Sequence, residues 1–118
     1  MAIKQEESAP VVILKTYDFL LWLLPKIESF PKHYKFSVGE RLTANGLDLL
    51  TILLEAAYVR EKESLLRRAS TKVNIIRTRL RLAKDWRVLS IDAYGFSAGL
   101  VDEIGRMVGG WQKSTAKV

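Results

Sequence analysis

His33 is the one histidine of the chain, and cysteine is absent. An imidazole near Asp18 or Glu40 could move a proton, but no nucleophile or set of oxyanion donors accompanies it. Zinc sites need several His, Cys or clustered carboxylates, and a bundle di-iron centre needs two Glu-x-x-His pairs. Neither set is present, so no metal, cofactor or enzymatic activity is expected. Gly39, Gly95, Gly99, Gly105 and Gly109 match no phosphate-cradling loop, and their expected work is packing and capping. The arginine of a bundle-type ribonuclease motif is missing before His33. What remains is cation chemistry. "IIRTRLRLAKDWR", residues 75–87, alternates apolar and basic side chains with no carboxylate before Asp85. His33 itself stands among Lys32, Lys35 and Arg41, a cluster suited to facing an anion.

Nineteen Lys and Arg against thirteen Asp and Glu give a formal charge of +6, a balance that favours nucleic-acid or anionic-surface partners. Hydrophobic residues make up 48% of the chain, enough to suggest that some apolar surface is buried between subunits. "MAIKQEESAP" at the start has no apolar run, so no signal peptide is expected. "FLLWLL", 19–24, lies between Asp18 and Lys26 and is far short of the roughly 20 residues of a membrane span. A soluble, cytoplasmic protein with no membrane partner is expected.

These side chains must be positioned by helices. Strand alternation is almost absent, and Asn45-Gly46 sits inside a helical pattern. The first helix is expected over about 11–30, with Leu14, Tyr17, Leu21 and Leu24 as its buried stripe and Ile13, Leu20 and Ile27 widening it. Pro25 should kink it and Pro31 close it. "PKHYKF" then reads as a loop. Ser37 and Glu40 have capping-box spacing, so the second helix should start near Ser37 and run through Leu42, Leu49, Leu50, Leu53, Ala56 and Ala57 toward Arg60. Gly46 inside it costs about 1 kcal/mol relative to Ala and should admit a close neighbour. A turn near Lys62–Ser64, with Ser64 as cap, leads to a third helix over Leu65–Arg87. The fourth, capped by Ser90 or Asp92, carries Tyr94, Ala98, Val101, Ile104 and Val108 and should stop at Gly109-Gly110. Short connections predict an all-α, antiparallel up-down-up-down four-helix bundle over 11–111, with a disordered segment 1–10 and a flexible tail 112–118.

At about 100° per residue the third helix sorts its side chains. Leu66, Ala69, Val73, Ile76, Leu80 and Ala83 form one unbroken core stripe. Arg67, Arg77, Arg81 and Lys84 gather on the polar side. Ile75, Leu82 and Trp86 make a second apolar stripe, bordered by Arg68, Lys72 and Arg79, with Arg87 at the helix end. That second stripe either packs on a neighbouring helix in a wide core or forms an oligomer interface, where Trp and Arg are enriched. The arginines are either a solvated face or a phosphate-binding one. Positions 73, 75, 77 and 80 supply no carboxylate four residues before a cation, so the charges look uncompensated within the helix. Phe19, Trp22 and Trp111 could stack on bases, but their helical spacing favours burial.

The order of "FPKHYKFSVGERL", "LLEAAYV", "LRLAKDWRVLS" and "EIGRMVGGW" behind a first helix with Tyr17 resembles the accessory variability determinant proteins of diversity-generating retroelements. It is also similar to the wider group of bacterial four-helix bundle proteins encoded in ribosomal RNA intervening sequences. The resemblance spans 11–111. It implies a non-enzymatic accessory protein that assembles as a homopentameric barrel and associates with a reverse transcriptase and with nucleic acid, template RNA or cDNA, in mutagenic retrohoming. It also implies that the basic positions named above contact RNA, DNA or the transcriptase. The alternative is an interaction bundle of the intervening-sequence type with no nucleic-acid role.

Overall fold

The computed structural model describes residues 8–116. Four long helices carry the chain: α1 (Ser8–Glu28), α3 (Glu40–Tyr58), α4 (Glu63–Asp85) and α5 (Ile91–Thr115). Between α1 and α3 lie the one-turn helix α2 (Lys32–Tyr34) and a π-helical turn, Lys35–Gly39. No strand occurs among the described residues. Both α1 and α4 pack against α3 and α5, which puts α1 and α4 on a diagonal. Contacts across each seam run in opposite chain order. Leu20 meets Gly46 where Ile27 meets Gly39, and Arg77 meets Asp102 where Lys84 meets Tyr94. This is the antiparallel four-helix bundle expected. Of the segment 1–10, residues 1–7 lie outside the described residues and 8–10 begin α1; positions 117–118 are likewise outside.

On α4 the buried stripe is Leu66, Ala69, Val73, Ile76, Leu80 and Ala83, as the wheel predicts. On α1 the expected stripe is the wrong one. The buried face is Val12, Thr16, Phe19, Leu20, Leu23 and Ile27, while Leu14 and Leu21 are 61% and 60% exposed and Tyr17 is exposed as well. α1 is apolar around most of its circumference, so spacing alone does not choose an arc. The buried arc holds Phe19, a larger filler than any side chain of the other stripe bar Tyr17. Thr16 is tolerated there because its hydroxyl donates to the Val12 carbonyl at 2.8 Å. Gly46 does admit a neighbour: a Cβ there would stand 2.5 Å from Leu20 Cδ2.

Three boundaries differ from expectation. Ser37 does not cap; its hydroxyl donates to the carbonyls of His33 (3.1 Å) and Tyr34 (3.3 Å). The chain enters α3 from the π turn already helical, so α3 has few orphan N–H groups for a cap to satisfy. The α3–α4 turn falls at 59–62, and Ser64 lies inside α4. Lys62 closes α3 by donating to the carbonyls of Ala56 (2.8 Å) and Val59 (2.5 Å). α5 runs through Gly109-Gly110 to Thr115. No described glycine adopts positive φ, so no left-handed stop forms. Burial of Trp111 in the core offsets the two glycines, which cost about 1 kcal/mol each. Ser90 does cap α5, accepting from the Ala93 N–H at 3.0 Å.

Candidate nucleic-acid interface

α4 supplies most of the predicted cations, and the bundle divides them between its two flanks. On the α5 flank, the Arg77 guanidinium donates to Asp102 Oδ1 through Nε and Nη2 (3.1 and 3.0 Å) and to Asn74 Oδ1 (2.7 Å). Lys84 lies 3.3 Å from Asp85 and 4.8 Å above the Tyr94 ring. Further round, Arg67 pairs with Glu63 at 3.1 Å and Arg81 with Asp85 at 3.9 Å. The polar side is therefore not uncompensated, which corrects the expectation from residues 73, 75, 77 and 80. The i,i+4 rule finds Glu63 once it is applied to Arg67. Asp102, 25 positions beyond Arg77, is supplied by another helix and has no local signal. Such exposed pairs contribute about 0–1 kcal/mol each and can be exchanged for phosphate oxygens.

The α3 flank is different. Lys72 reaches Asp48 at 3.6 Å, but Arg79 donates to Asn45 Oδ1 at 2.6 Å, a neutral acceptor that leaves the guanidinium charge in place. Asn45 is itself buried, so this bond satisfies a core amide while orienting the arginine at the rim. Arg79 lines a shallow groove with Phe36, Ser37, Val38, Glu40, Arg41, Leu82 and Trp86. The π turn brings Phe36 out and Val38 in at the mouth of this groove: Phe36 is 59% exposed and Val38 buried. Trp86 is 48% exposed, and its ring stands 5.5 Å from that of Tyr34, whose other neighbour is the His33 ring at 5.1 Å. Among the described residues, Arg41, Arg68, Arg79, Arg87, Lys32 and His33 have no carboxylate partner, whereas Lys35 is held by Glu28 at 3.0 Å.

Arg87 follows directly. It takes φ = 65°, the left-handed conformation that favours glycine. The bonds around it form a helix-ending motif: the Val88 N–H donates to Ala83 O (3.0 Å) and the Arg87 N–H to Lys84 O (2.9 Å). An arginine there costs about 1 kcal/mol against glycine and keeps an exposed cation beside Trp86.

Of the predicted interface residues, Ile75 is half-buried and Leu82 and Trp86 are exposed, on the α3-leaning outer side of α4. Further exposed apolar side chains exist that sequence patterning does not single out as surface. Leu14, Tyr17 and Leu21 on α1 and Leu47, Leu54 and Tyr58 on α3 are all exposed. The antiparallel register set by Leu20 on Gly46 puts Leu21 near the level of Leu47 and Leu14 near that of Leu54 on the neighbouring helix. Phe19 and Trp111 are buried as their spacing suggests, and Trp22 is half-buried against Phe96 at 5.5 Å. Among the described residues no cluster of His, Cys, Asp or Glu could hold a metal ion, and no helix is long and apolar enough to cross a membrane.

The family model described as bAvd-like covers residues 11–115. Neither a curated protein nor a solved structure matches.

Proposed function

The chain belongs to the bAvd-like family, that of the accessory variability determinant proteins its motifs resemble. From that premise we propose that it is a non-enzymatic accessory factor of a diversity-generating retroelement. In this reading it binds template RNA or cDNA together with the reverse transcriptase and supports mutagenic retrohoming in the cytoplasm. The observation that carries the nucleic-acid part is the α3–α4 groove, where Arg41 and Arg79 lack carboxylate partners among the described residues and lie beside exposed aromatic rings. The His33 ring stands against Tyr34, and Arg68, Arg87 and Lys32, also without a carboxylate partner among the described residues, add to that charge. Arg67, Lys72, Arg77, Arg81, Lys84 and Lys35 join it only by giving up an acidic neighbour. Contact is mainly with the backbone, so binding is salt dependent.

Self-association is the second part of the proposal, with the pentamer coming from the family likeness. The exposed apolar side chains of α1 and α3 are the surface proposed for it; the stripe of Ile75, Leu82 and Trp86 is the other candidate, and a subunit seated there would cover the α3–α4 groove. In a head-to-tail contact each α1–α3 face would meet a different surface of the next subunit, and a rotation that closes gives a ring. A second reading has support from one observation: every cation on the polar side of α4 has a carboxylate within reach, as in an interaction bundle with no nucleic-acid role. The deciding experiment is binding of single-stranded RNA over a salt series, with co-purification of a reverse transcriptase encoded beside this gene. No RNA binding at low salt, together with no transcriptase recovered, refutes the accessory-factor reading.

A further inference from the structure

We propose that the groove at the α2 end of the α3–α4 seam is a base-stacking subsite for single-stranded nucleic acid. This rests on the nucleic-acid reading above and goes beyond backbone electrostatics. Three features meet there. Phe36 and Trp86, both exposed, line the groove from the π turn and from the end of α4, together with Leu82, and the Lys35 ammonium lies 6.0 Å from the centre of the Phe36 ring. The Tyr34 ring packs against Trp86 at 5.5 Å in a tilted arrangement, which braces the indole while it stays about half exposed. Arg41 and Arg79 stand on the same rim, and Asn45 holds one Nη of Arg79 while the other donors of the fork stay available. Arg87, adjacent to Trp86, adds a third cation beyond the helix end.

The ligand class follows from this arrangement. Bases inside a duplex are stacked on one another and cannot reach ring faces set in a groove, so a double helix would meet only the arginines. Unpaired bases can splay onto both aromatics while their phosphates lie over the guanidiniums. An apolar protein segment could use Leu82, Phe36 and Trp86 but leaves two uncancelled guanidiniums unanswered. The charge therefore favours a polyanion. Glu40 also lines the groove and repels phosphate. The strand must therefore cross Glu40 with its bases, keeping its backbone on the Arg41–Arg79 side.

The test uses the full chain and fluorescence anisotropy with two probes, a short oligouridylate and an RNA duplex of equal length. Trp86→Ala and Phe36→Ala should each weaken oligouridylate binding roughly 5- to 150-fold and leave duplex binding nearly unchanged. Trp86→Phe should restore most of the loss, which separates stacking from misfolding, and Glu40→Gln should tighten both probes. Equal losses on strand and duplex overturn the proposal. So does a Trp86→Ala protein that sediments as a smaller species, because the indole then belongs to a subunit contact. If the aromatic variants bind like wild type while Arg41→Gln does not, stacking is refuted and backbone binding survives. If wild type binds neither probe at low salt, the nucleic-acid reading falls and this subsite with it.

Discussion

Two charge-matched pairs of substitutions separate local phosphate contact from overall charge. Arg41→Gln with Arg87→Gln removes two cations that have no carboxylate partner among the described residues. Arg77→Gln with Arg81→Gln removes two that already face Asp102 and Asp85 at 3.0 and 3.9 Å. Each pair takes the same two units from a formal +6. On single-stranded RNA, each phosphate contact adds about 0.7 to the slope of log K against log salt. Losing two such contacts should flatten the slope by about 1.4. The Arg77/Arg81 pair should change it by much less, because a phosphate must first displace a carboxylate held in the same fold. Affinity measured by anisotropy from low to moderate salt gives both slopes. Equal flattening by the two pairs would show a diffuse cloud of charge and refute the division of α4 into committed and available cations. No flattening by the Arg41/Arg87 pair would remove the α2 end of the bundle from the binding surface.

Other outcomes follow from packing. Leu21→Glu with Leu54→Glu places two carboxylates on the α1–α3 face and should shift sedimentation to smaller species while far-UV circular dichroism stays helical. Arg87→Gly relieves the positive φ and should raise unfolding free energy by about 1 kcal/mol in a denaturant titration. Gly46→Ala drives a Cβ to 2.5 Å from Leu20 Cδ2; overpacking of about 1–3 kcal/mol, less about 1 kcal/mol regained from the better helix former, should leave a net loss of up to about 2 kcal/mol in the same titration, and Gly46→Ala with Leu20→Val should recover part of it.

The α4 core was legible because that helix has one clean apolar arc among polar neighbours; period alone identifies Leu66 through Ala83. α1 offers two apolar arcs, and the choice between them is made by Phe19 fitting the core, which no local pattern records. The ion pairs divide in the same way. Glu63 and Asp85 lie one helical turn from their partners and can be read from spacing, whereas Asp48, Asp102 and Asn45 depend on the register between helices. Phe36 sits in "PKHYKF", which reads as loop. Its outward placement depends on the extra residue of a π turn, and a capping-box pattern at Ser37 points away from that geometry.

The inverted burial on α1 is the structural argument for the self-association proposed above. A helix selected only for a monomeric bundle would bury its leucines and leave threonine outside. Here Thr16 is fully buried and needs a hydrogen bond to Val12 O to be tolerated, while Leu14 and Leu21 face solvent. Rotating α1 to bury the leucine stripe would expose Phe19 and Leu23, so the core cannot take both arcs. Two apolar arcs on one helix are therefore two surfaces, the inner one fixed by the bundle and the outer one exposed, as Leu47, Leu54 and Tyr58 are on the neighbouring α3. An exposed Leu costs little alone, but a contiguous set of such side chains on adjacent helices carries a hydrophobic driving force that grows with its area. In the self-association proposed above, a subunit seated on the outer arc alone would leave the groove of Arg41, Arg79 and Trp86 to a second ligand, whereas one seated on Leu82 would cover it.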